Sequence, residues 1–146
     1  LQADGWYLRS DIIWSKTNPM PESVSDRPTK AHEYVFLLTK SPRYYYDTEA
    51  IQETTGANKR SVWAIATQPY PEAHFATYSE KLVEPCILAG CPLGGVVLDP
   101  FVGSGTTMAV AQRLNRKGVG TDLSTEYLAL ASKRLGSIAL PMNLGI

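Results

Sequence analysis

The sequence predicts an α/β fold built around parallel strands, and two observations carry that expectation. The C-terminal half alternates short apolar runs with helix-period segments: Val96-Val97-Leu98-Asp99, then residues 106–116, then Val119-Gly120-Thr121-Asp122, then a segment opening at Ser124. The first junction between run and helix contains Gly103-Ser104-Gly105, and glycines there let the backbone turn sharply and approach a ligand without a Cβ in the way.

The elements follow in order. Residues 6–14 and 33–39 are rich in aromatic and β-branched side chains and are expected as strands. Between them, Pro19 and Pro21 withhold a ladder donor and restrict the residues before them, so 16–23 is expected as a loop. A third short strand candidate covers 61–65. Ser79 is placed to cap a helix running through Leu88, with Pro85 to kink it and Gly90 beyond its end. Gly94-Gly95 leads into the buried strand 96–99. The helix at 106–116 puts Thr107, Val110, Ala111 and Leu114 on one face, and 119–122 is a second strand ending at Asp122. Ser124 caps a last helix carrying Leu128, Ala131 and Leu135, which Gly136 stops. The chain thus divides into a strand hairpin with its loop at 1–67 and a strand–helix–strand–helix part at 68–146, both within one domain.

Bulk properties exclude more than they assign. The 146 residues suffice for one domain, and the formal net charge of zero gives no support to nucleic-acid binding. The longest apolar runs are strand-sized, so neither a membrane partner nor a secretory leader is expected. Cys86 and Cys91 form neither a disulfide framework nor part of a zinc pattern, and no metal site is expected. Reduced thiols point to the cytoplasm. The chain begins at Leu1 with Gly5-Trp6-Tyr7-Leu8 already structured in character, so an upstream segment is expected.

Three ligands compete for the glycine turn. A nucleoside triphosphate calls for a lysine that Gly105-Thr106-Thr107 lacks. A dinucleotide calls for a third glycine where Met108 stands. Adenosylmethionine offers a ribose diol to Asp122, nineteen positions after Gly103, and an ammonium to Asp99, with no phosphate to accommodate. A tight strand–helix turn without ligand is the bland reading, and Asp122 alone is as well explained as a helix cap.

The segment Asp99-Pro100-Phe101-Val102-Gly103-Ser104-Gly105-Thr106-Thr107 resembles the cofactor motif of the N4-cytosine/N6-adenine DNA amino-methyltransferases, in the permuted group whose catalytic half precedes the cofactor half. His74-Phe75-Ala76-Thr77-Tyr78-Ser79-Glu80-Lys81-Leu82 resembles that family's segment beside the methionine moiety, with Tyr78-Ser79 where Phe-Pro is usual. Gly118-Val119-Gly120-Thr121-Asp122 is similar to its ribose-binding strand, where Glu is commoner. Upstream, Asp11 to Asn18, Asp26-Arg27-Pro28 and His32 to Lys40 resemble its antiparallel edge pair with a DNA-facing loop.

The resemblance implies an incomplete Rossmann-like methyltransferase fold whose central strands belong to the upstream part. It also implies S-adenosyl-L-methionine as cofactor and methyl transfer to an exocyclic amine of adenine or cytosine in double-stranded DNA, in a bacterial or phage setting. Asp99, Pro100, Phe101, Gly103, Ser104, Gly105, Thr106, Asp122, His74 and Ala76 are implied at the cofactor, and Lys16, Arg27 and Lys30 at DNA. The family's catalytic motif, Asp/Asn/Ser-Pro-Pro followed by an aromatic residue, is absent, because the chain has no Pro-Pro dipeptide. No catalytic residue is therefore assigned here. An upstream segment or a complementing chain is expected to supply it, unless the chain is an inactive cofactor-binding remnant. Either self-association through strands left unpaired by the missing ones, or loose folding between the two halves, is expected as well.

Bland readings stand beside the sharp ones. Trp14 at a strand end is expected in the core, and Arg27 and Lys30 are equally well solvated loop cations. Tyr44-Tyr45-Tyr46 is expected as an edge strand rather than a nucleic-acid surface, and the two cysteines as packing residues, although Cys86 follows a proline as a methyltransfer nucleophile does.

Overall fold

The computed structural model describes residues 1–68 and 78–137. Its described strands form two separate small sheets. In the first, β1 (Tyr7–Ser15) pairs antiparallel with β2 (His32–Thr39) and parallel with β3 (Val62–Ala64), giving the order β2-β1-β3. Alternation sets the register: Ile12 faces Val35 and Trp14 faces Glu33, so one side of the pair carries its apolar residues inward. The other side leaves Tyr34 and Phe36 exposed, stacked 6.0 Å apart. Trp14 is buried, and its indole N–H donates to the Ile65 carbonyl at 2.8 Å, so this strand-end tryptophan belongs to the core. Tyr44–Tyr46 do not form a strand. They run as irregular chain, with the Arg9 guanidinium over the Tyr44 ring.

The second sheet is the parallel pair β4 (Val96–Asp99) and β5 (Lys117–Gly120). Helix α1 (Glu80–Gly90) precedes it, α2 (Thr106–Arg113) connects its strands and α3 (Thr125–Gly136) follows. The Ser79 and Ser124 side chains cap α1 and α3, accepting from the Lys81 and Tyr127 amides. Three boundaries depart from expectation. Gly90 is the last residue of α1 rather than beyond it, since the Cys91 amide still donates to the Ile87 carbonyl. Helix α2 stops at Arg113 because Asn115 turns left-handed (φ 59°), with the Asn115 amide donating to Gln112 O and the Arg116 amide to Ala111 O. Strand β5 starts earlier and ends at Gly120, so Asp122 lies just past the strand.

Among the described residues, two apolar clusters form the core. Trp14, Trp63 and Leu82 gather Ile12, Val35, Ile65 and Tyr78, while Ile87, Cys91, Val110 and Ala111 gather Val83, Val97 and Leu114. Helix α1 contributes to both, with Leu82 reaching the first sheet and Ile87 reaching α2. Glu80 on its first turn bridges Arg113 of α2 and Arg134 of α3, at 2.6 Å each. Burial alone would raise the Glu80 carboxyl, but the hydrogen bonds and charges of the two arginines outweigh it and hold the carboxyl below its ordinary value. Together these elements constitute an α/β fold with parallel strands and connecting helices. No described helix is long and apolar enough to cross a membrane.

Candidate cofactor site

Parallel strands deliver their loops to one end of the sheet, and ligands of such folds bind outside the carboxyl ends of the strands. Here β4 ends at Asp99 and β5 at Gly120, neighbours in register, so the glycine turn and Asp122 emerge side by side. Backbone bonds lock them together: the Thr121 amide donates to Asp99 O at 3.0 Å and the Val102 amide to Thr121 O at 2.9 Å. The Asp122 carboxylate closes the arrangement, accepting from the Ser124 and Gly103 amides at 2.9 Å each. Those two amides, Ser124 foremost, hold Asp122 below its ordinary carboxylate range. A carboxylate has about four lone-pair directions, so these bonds leave acceptor capacity for a diol.

The two glycines divide the labour. Both are left-handed, with φ 48° at Gly103 and 82° at Gly105. A Cβ on Gly103 would meet only the Phe101 carbonyl, at 3.9 Å, so this position faces open space. A Cβ on Gly105 would lie 3.0 Å from the Ala131 Cβ, so Gly105 lets α2 start hard against α3. Ser104 and Thr106 are buried, and the Thr106 hydroxyl accepts from Arg134 at 3.1 Å. Phe101 is exposed beside the turn, and the Pro100 carbonyl accepts from the Thr121 hydroxyl at 2.9 Å.

Asp99 is held from two sides. Its Oδ1 accepts the Phe101 amide and its Oδ2 the Tyr78 hydroxyl, both at 3.0 Å. The same hydroxyl lies 2.5 Å from the Thr107 hydroxyl. Burial, partly offset by the Thr107 bond and reinforced by Asp99, pushes Tyr78 up to about 12, so it stays protonated. Sequence reasoning missed this contact, and the one available signal was the departure from Phe-Pro at Tyr78-Ser79. It also missed Leu123, a fully exposed apolar side chain directly after Asp122. His74 and Ala76 lie outside the described residues.

The cations placed at DNA by resemblance divide as well. Lys16 and Lys30 line one cleft of about 350 Å³ with His32 and Glu33. Lys16 is ion-paired with Glu33, and its ammonium sits 5.0 Å from the Trp14 ring centre. Arg27 does not line this cleft and pairs with Glu22 at 2.9 Å. The Cys86 residue is exposed, but its sulfur donates to the Leu82 carbonyl, and desolvation over the helix pushes the thiol up to about 11. It is therefore a thiol rather than a nucleophilic thiolate at neutral pH. Among the described residues, no cluster of His, Cys, Asp or Glu has the arrangement of a metal site.

Comparison with known proteins gives the family and the fold. A family model described as DNA methylase matches residues 1–133. The type II methyltransferase M.SmaI of Serratia marcescens is 54% identical over 141 residues, covering 92% of this chain and 48% of that protein. M.Cfr9I of Citrobacter freundii is 54% identical over 139 residues, covering 92% and 46%. The chain spans about half the length of the curated relatives it matches. Among solved structures, the M1.HpyAVI–SAM complex aligns with a TM-score of 0.74 and 27% identity, covering 92% of this chain and 65% of that one. The PvuII DNA methyltransferase (cytosine-N4-specific) aligns with a TM-score of 0.80, covering 92% and 54%, and at 22% identity it shares the fold.

Proposed function

We propose that this chain, which belongs to the DNA methylase family, is the cofactor-binding part of an enzyme that methylates an exocyclic amine, adenine N6 or cytosine N4, in double-stranded DNA. The observation that carries this reading is the pair of carboxylates, Asp99 and Asp122, fixed at the ends of adjacent parallel strands around a turn that opens at Gly103. Two carboxylates and no lysine in the turn suit a ligand with a diol and an ammonium and no phosphate. S-adenosyl-L-methionine is such a ligand, and when bound it supplies an activated methyl group. In this reading Asp122 accepts from the ribose diol, Asp99 faces the ammonium, and exposed Phe101 and Leu123 offer apolar surface to the adenine. Pro100, Ser104, Gly105 and Thr106 hold the turn that presents them.

The cleft lined by Lys16 and Lys30, with Arg27 on the same loop, is proposed to meet DNA phosphates. Without a Pro-Pro-aromatic motif nothing in the chain positions a target amine, so a catalytic segment or complementing chain completes the enzyme. Its setting is proposed to be the cytoplasm of a bacterium or of a phage-infected cell. The test compares the chain alone with the chain completed by a catalytic half bearing that motif. Labelled-methyl transfer to mixed-sequence duplex DNA is measured, followed by mass analysis of the nucleosides. The completed protein is expected to yield N6-methyladenine or N4-methylcytosine and the chain alone neither. Sustained turnover by the chain alone, or no binding of S-adenosylhomocysteine by either, would overturn the proposal.

A further inference from the structure

The side chain that departs from the family's usual Phe-Pro is the one that reaches the strand end. Tyr78 Oη carries one proton. With that proton donated to Asp99 Oδ2, the Thr107 hydroxyl must donate to Tyr78, giving a directed chain from Thr107 through Tyr78 to Asp99. The Phe101 amide occupies Asp99 Oδ1, so each carboxylate oxygen has one fixed donor and keeps free lone pairs. The Tyr78 ring meanwhile packs in the Trp14–Trp63–Leu82 cluster, which anchors the hydroxyl from the far side. A phenylalanine would fill the same apolar space and leave Asp99 Oδ2 and the buried Thr107 without this partner.

We propose that Tyr78 is a positioning residue, whose hydroxyl, oriented by Thr107, fixes the Asp99 carboxylate to receive the ammonium of the cofactor's amino-acid end. This rests on the cofactor assignment above. Because Tyr78 stays protonated through the whole neutral range, its hydrogen-bond donation to Asp99 does not depend on physiological pH.

The experiment is calorimetry on the full chain with two probes, S-adenosylhomocysteine and its deaminated analogue, which lacks only the ammonium. Tyr78→Phe is expected to weaken the first about tenfold and to leave the second unchanged. Thr107→Val, which keeps Tyr78 but removes the group that orients it, is expected to act in the same direction and less strongly. It also carries the test if Tyr78→Phe fails to fold. Equal weakening of both probes would reduce Tyr78 to a packing residue and overturn the proposal, as would unchanged affinity for S-adenosylhomocysteine. If the unmodified chain, both alone and completed by a catalytic half, bound neither probe, the cofactor assignment itself would fail, and the role of Tyr78 would fall with it.

Discussion

Gly103 donates its backbone N–H to the Asp122 carboxylate at 2.9 Å, so the turn after one strand is pinned by the side chain after the next. Asp122 thus shapes the turn and, in the proposed reading, also faces the ligand, so its substitution should cost both. Asp122→Ala is expected to weaken S-adenosylhomocysteine binding about tenfold or more, and Asp122→Asn, which keeps one acceptor oxygen, by less. The sign with pH follows from the depressed carboxyl. The ionised form contributes above the ordinary value of 3.8 and is lost only as pH falls through the lower value in the fold. Calorimetry down to mildly acid pH should show no loss attributable to Asp122.

The two glycines of the turn should fail differently. Gly105→Ala forces a Cβ against Ala131 in a left-handed backbone and is expected to destabilise the chain by about 1–3 kcal/mol. Gly103→Ala faces open space and should cost only the left-handed strain, about 1 kcal/mol, while losing ligand affinity. Urea denaturation paired with ligand titration separates the two. Equal stability losses would contradict the division of labour described above.

Acid sensitivity should trace to Glu80. Its folded carboxyl is held below the ordinary 4.5, so the bridge to Arg113 and Arg134 is intact above that value and lost as pH falls through the lowered one. Glu80→Gln is expected to be less stable at neutral pH and to lose less stability between neutrality and about pH 3.5. Denaturant midpoints across that range are the measurement.

The sheet formed by β4 and β5 presents Val96, Leu98 and Val119 at 60%, 64% and 49% exposure, and these two strands pair only with each other among the described strands. An open apolar sheet with free edges invites pairing. Light scattering of the isolated chain is expected to show self-association that Leu98→Lys reduces. A monodisperse monomer would show that this face is closed.

The β4–turn–α2–β5 unit was legible because its signals are local: apolar runs, glycines at a turn, a carboxylate at fixed spacing. Both Ser caps were legible for the same reason. The ends of α2 and β5 were not. The left-handed Asn115 carries no signal as strong as a glycine, and β5 begins at Lys117-Gly118, residues that read as loop in isolation. Tyr44–Tyr46 misled because aromatic content resembles a strand, whereas pairing is a tertiary property. The Tyr78–Asp99 contact spans twenty-one residues and joins two elements, which no local pattern encodes.

Helix α1 is rooted in both apolar clusters, with Leu82 among the tryptophans and Ile87 against Val110. Among the described residues the two sheets share no hydrogen-bonded ladder, yet neither can come apart while this helix stays seated in the other. Close-packed side chains do not stretch to accommodate a tilting neighbour. Loosening either sheet must therefore disturb the seat of α1 in both clusters, so the two halves are expected to unfold as one cooperative unit.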